Sequence, residues 1–99
     1  MDETAKSNFE TMIEMYKQRK TNMDFVNFQE MLKLMKEEVG EFKKGNPRFN
    51  SMTDKIIQEI EKYQTARYRG YIKRYYERKI SEITAMISRL KAFMSWYNH

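Results

Sequence analysis

Along most of this chain apolar side chains recur every three or four residues, the interval that puts them on one face of an α-helix. Phe9, Met12, Ile13 and Tyr16 form the first such set and predict a helix from about Ser7 to Lys20. Phe28, Met31, Leu32, Met35, Val39 and Phe42 form the second, with Lys33, Lys36, Glu37 and Glu41 on the opposite side. Asn27, with Glu30 three residues on, is read as the cap that starts this helix. Gly45 followed by Pro47 marks its end. Gly40 inside it costs about 1 kcal/mol relative to alanine, which points to a close helix contact there. Ser51 is expected to open a third helix, and nothing but Gly70 interrupts the pattern from there on. The sequence therefore predicts one long C-terminal helix, with a bend near Ser88.

The apolar stripe of that long segment changes face. At 100° per residue, Ile56, Ile57, Ile60, Tyr63 and Tyr71 share one arc. Ile72, Tyr76, Ile80, Ile83, Met86, Ile87, Leu90 and Met94 share another, displaced by roughly a third of a turn. A stripe that moves implies different partners along the helix. The first half is expected to pack within its own domain and the second half against another subunit. The fold class expected is all-α: a single helical domain over 1–99, with a long C-terminal helix used for subunit packing.

Composition agrees with helices and removes several functions. The chain is 40% hydrophobic and 33% charged, with one proline and three glycines, too patterned for disorder and too poor in turn residues for a small β-sandwich. It has no cysteine, which excludes disulfides, thiolate catalysis and cysteine-bound zinc. Its one histidine, His99, is the last residue. There is no glycine-rich phosphate loop, no G-x-S-x-G and no H-E-x-x-H. Glu37/Glu38 and Glu59/Glu61 are spaced so that their carboxylates point apart on a helix. The chain is read as not an enzyme, without metal or cofactor. A helical bundle using arginines to clamp a small dianion is the weakest alternative, since no general base stands out. No apolar run reaches ~20 residues and the first residues do not form a signal peptide, so an intracellular place without membrane contact is expected.

Charge singles out one region. Residues 1–61 carry ten Lys/Arg and twelve Asp/Glu, whereas residues 62–99 carry nine Lys/Arg and two Glu. The basic residues Arg67, Arg69, Lys73, Arg74, Arg78 and Lys79 alternate with Tyr71, Tyr75 and Tyr76. Three explanations compete for such a face. It is a solvated surface, or an interface filled by arginine lying on tyrosine, or a grip on phosphates with tyrosines stacking on bases. No helix-turn-helix, zinc-finger or RRM pattern accompanies it, which ranks the third reading last.

The ordered spacing Arg67-x-Arg69-x-x-Ile72-x-x-Tyr75-Tyr76-x-x-Lys79-Ile80-x-x-Ile83 resembles the signature helix of GINS subunits, of the type whose helical A domain comes first. Upstream, NFETMIEMYKQRK, FQEMLKLMKEEVGEFKK and TDKIIQEIEKY resemble the preceding helices, so that the likeness covers about residues 8–87. The small β domain that usually follows in that family has no counterpart before His99. The resemblance implies a non-enzymatic scaffold subunit that joins other subunits or itself. Its further partners would be the MCM helicase and a Cdc45/RecJ-like protein in DNA replication, in the nucleoid of an archaeon or the nucleus of a eukaryote. It also implies an interface formed by Ile72, Tyr75, Tyr76, Ile80, Ile83, Ile87 and Leu90, with at most weak, non-specific contact to DNA. The alternative is a small basic helical protein that binds nucleic acid directly.

Overall fold

A computed structural model describes Glu14, residues 24–65 and residues 73–97. These residues form three α-helices, α1 (Phe25–Gly45), α2 (Asn50–Thr65) and α3 (Lys73–Tyr97). A short 3-10 turn, Pro47–Phe49, links the first two. The all-α class expected from the periodicity is what the described residues adopt. The helix expected over Ser7–Lys20 lies outside them, apart from Glu14, which is helical and exposed.

α1 begins earlier than its polar pattern indicated. Asp24, not Asn27, is its cap: Asp24 Oδ1 accepts the backbone N–H of Asn27 at 2.8 Å, satisfying a donor that the first turn leaves without an intrahelical partner. The earlier start brings Phe25 into the helix one turn before Phe28, and both rings meet Tyr76, at 6.3 and 4.8 Å between centroids. Lys43 and Lys44 sit in the last turn, where positive charge is favourable. Gly45 is the last helical residue rather than the one beyond it, and Asn46 closes the helix by donating from Nδ2 to the Phe42 carbonyl at 3.0 Å. Pro47, unable to continue a helix, opens the turn that delivers Phe49 to the core.

The long C-terminal helix is two helices. α2 ends at Thr65 and α3 starts at Lys73, and the two lie side by side running in opposite directions. Tyr63, near the end of α2, meets Lys79 near the start of α3. Phe49, just before α2, meets Phe93 and Tyr97 at the far end of α3, with centroids 6.2 and 5.8 Å apart. The interval between them contains Gly70. There is no break at Ser88, which lies exposed within an unbroken α3. An exposed serine with no proline or glycine beside it costs a helix too little to break it.

The phase shift of the apolar stripe thereby acquires a different cause. Apart from Tyr71 and Ile72, which lie outside the described residues, its two arcs belong to two antiparallel helices that face each other and α1. The core gathers Phe28, Met31, Leu32, Met35 and Val39 of α1, Ile56, Ile60 and Tyr63 of α2, and Tyr76, Ile80, Ile83, Ile87 and Leu90 of α3, each at most 5% exposed. Thr53, also buried, satisfies its hydroxyl by donating to carbonyls one turn back. Around the core, Lys36–Glu61 (2.9 Å), Lys43–Asp54 (2.6 Å) and Lys91–Glu38 (2.9 Å) tie α1 to the other two helices. Such part-exposed pairs contribute only ~0–1 kcal/mol each and set register more than stability. Among the described residues Gly40 makes no close contact: a Cβ there would meet none of their atoms within 4 Å.

Candidate functional site

The residues expected to face another subunit turn inward instead. Tyr76, Ile80, Ile83, Ile87 and Leu90 lie between 0 and 5% exposed in the chain's own core, and Tyr75 is half-buried beside them. The physical reason is the reversal between α2 and α3, which supplies within one chain the apolar cover that an uninterrupted helix would have sought from a neighbour. Ile72 lies outside the described residues.

The basic face divides into two kinds of cation. Lys79 is covered by its surroundings, with a side chain 18% exposed. Its Nζ lies 5.4 Å from the ring centres of both Tyr63 and Tyr75 and 3.4 Å from Glu82 Oε1. Burial opposes its charge, but the Tyr63 hydroxyl and the Glu82 carboxylate outweigh that and hold its pKa above the ordinary lysine value. Lys79 is therefore part of the packing. Arg74 and Arg78 are exposed on the outer side of α3 and make no ion pair or ring contact among the described residues. The expectation that arginines of this stretch fill an interface by lying on tyrosines does not hold for these two: lysines meet the tyrosines here, Lys62 and Lys79 both over Tyr63. Arg67 and Arg69 lie outside the described residues, and Lys73 is the first residue of α3.

The sequence pattern missed a surface at the other end of the bundle. Phe93, Trp96 and Tyr97 are 47%, 71% and 50% exposed, with ring centroids 5.5–6.1 Å from one another. Arg48 lies over the Tyr97 ring at 4.9 Å. From this cluster an open groove runs back between α2 and α3 past Met52 to Lys55, Met86 and Arg89. The only sequence signal for it was aromatic residues falling off the buried arc near the chain's end, next to a proline turn that carries Phe49.

The described residues contain no group of three or more His, Asp or Glu placed to hold a metal ion. No described helix is long and apolar enough to cross a membrane. Comparison of the chain with protein-family models, curated proteins and solved structures finds no match.

Proposed function

We propose that this chain is a non-enzymatic interaction module, a scaffold subunit of a larger assembly. The assembly that the sequence resemblance favours is a GINS-type one, joining the MCM helicase and a Cdc45/RecJ-like protein in DNA replication. The observation that carries the scaffold reading is the aromatic cluster of Phe93, Trp96 and Tyr97. Phe93 and Tyr97 meet Phe49 at the edge of the core, yet all three rings stay exposed, and of the large apolar side chains described only Val26 is comparably exposed. Contiguous apolar surface left uncovered on a well-packed domain is the usual mark of a protein contact, and aromatic side chains are enriched at the centres of such contacts. On this reading subunits pack on the outer surface of the bundle and not through the Ile80–Leu90 stripe.

Direct binding to nucleic acid is the second reading, favoured by Arg74 and Arg78, exposed and without ion pairs among the described residues. One experiment separates the two: affinity capture of the tagged full chain from its own cells, with and without nuclease, and identification of what is held by mass spectrometry. The scaffold reading expects an MCM-type helicase and a RecJ-like protein, retained after nuclease. Recovery of nucleic acid alone would establish the second reading instead.

A further inference from the structure

The groove between α2 and α3 differs from the rest of the surface in its lining. Near Arg89 it forms a hollow of about 220 Å³ lined by Met52, Ile56 and Met86 together with Lys55 and Arg89. Through Met52 it continues into a second hollow of about 370 Å³ bounded by Arg48, Phe93 and Tyr97. Among the described residues no acidic side chain lines either one. Arg48, Lys55 and Arg89 are all exposed and make no ion pair among the described residues. Elsewhere on these helices Lys36, Lys43, Lys44, Lys79 and Lys91 each have a carboxylate within 4 Å, whereas Arg74 and Arg78, like these three, have none among the described residues. What marks this groove is that Arg48, Lys55 and Arg89, none with a carboxylate partner among the described residues, line it together with Met52, Ile56 and Met86.

We infer that the groove is the docking site for an acidic amphipathic segment of a partner protein. The partner's apolar side chains would enter between Met52, Ile56 and Met86, and its carboxylates would meet Arg48, Lys55 and Arg89. This inference deepens the scaffold reading and rests on it for the partner being a protein.

Charge decides the sign of the partner, and the apolar lining decides its class. Unbranched thioethers adapt to inserted aliphatic and aromatic side chains, but they offer no flat face on which a base can stack. At the aromatic end the Tyr97 ring already carries Arg48, but Trp96 is 71% exposed, so stacking of bases there is the competing outcome that titration with oligo-dT tests. Two copies meeting face to face through this groove would oppose like charges, which argues against a symmetric dimer here. From Arg48 to Lys55 the groove spans roughly 10 Å at helical rise, about two turns of a docked helix.

The test uses Trp96, the only tryptophan, as a fluorescent reporter at the groove's aromatic end. The full chain is titrated with a synthetic helix-forming peptide bearing leucine on one face and glutamate on the other, with the same peptide carrying lysine for glutamate, and with single-stranded oligo-dT. The glutamate peptide is expected to shift Trp96 emission with a micromolar Kd, and the lysine peptide is not. The double variant Lys55→Glu/Arg89→Glu is expected to weaken the glutamate peptide by about tenfold or more, the worth of two rim charges turned from attractive to repulsive. Its circular dichroism should be unchanged, since both positions are exposed; Arg48→Glu is the second variant if it is not. Absence of binding, binding indifferent to these substitutions, preferential binding of oligo-dT, or self-association that blocks the peptide would each overturn the inference. Failure here is distinct from failure of the scaffold reading. Native partners retained by the double variant would remove this groove and leave the scaffold standing, whereas capture of no protein by the unaltered chain would remove the scaffold.

Discussion

Lys79 concentrates the local electrostatics of the basic stretch. Tyr63, Tyr75 and Glu82 surround its ammonium group. Burial works against the charge, but the tyrosine hydroxyl and the carboxylate prevail and raise its pKa above 10.5. The folded protein thus holds this proton more tightly than the unfolded chain does. The resulting stability is fully present below 10.5, the unfolded value, and is lost as pH rises through the raised folded value. Urea denaturation across the alkaline range is expected to show that loss, and Lys79→Met is expected to reduce it. At neutral pH the same substitution should cost about 1 kcal/mol in lost cation–π and ion-pair contacts. An alkaline loss identical in both proteins would assign it to tyrosine ionisation alone.

Two of the three described helices each hold a residue whose role a single substitution reveals. In α3, Ile83 is fully buried. Ile83→Ala should cost about 3 kcal/mol, and Ile83→Asp should abolish the helical circular dichroism of the isolated chain, because a lone carboxylate in this core has no partner. A folded, helical Ile83→Asp protein that had only lost an oligomeric partner would return this position to a subunit interface. In α1, Gly40 has room for a methyl group and sits in mid-helix. Gly40→Ala should stabilise the protein by about 1 kcal/mol, raising Tm by about 5 °C for a domain of this size. A thermal scan showing destabilisation would mean that the glycine is needed for a contact beyond the described residues.

For the whole molecule the formal net charge of +5 and its bias toward residues 62–99 predict attraction to duplex DNA that is weak and without sequence preference. That binding should fade steeply with salt as counterions are released. Arg74→Ala/Arg78→Ala should lower the slope of log affinity against log salt by about one per lost phosphate contact. The same change should leave Tm in place, since neither arginine takes part in packing among the described residues. Fluorescence anisotropy across a salt series, beside a thermal scan, measures both. A lowered Tm would show that the arginines serve structure after all.

Phe28, Met31, Leu32, Met35 and Val39 could be assigned to a buried face from spacing alone, and so could Tyr76, Ile80, Ile83, Ile87 and Leu90. Periodicity is a local property of the helix, and local geometry is enough to decide which side chains share a side. Helical class followed from it, as did the stop at Pro47. What lies against each face is not local. The uninterrupted spacing from Ser51 onward holds for one helix or for two antiparallel ones, because the residues between Thr65 and Lys73 carry no proline and a single glycine. Only the packed structure turns α3 back on α2. That reversal places the two arcs against one another, consumes inside one chain the apolar surface that seemed to require a second, and brings Arg48, Met52 and Lys55 beside Met86, Arg89 and Tyr97. Residues some forty positions apart meet there through the free energy of burying both helix faces at once, a term that no window of sequence contains.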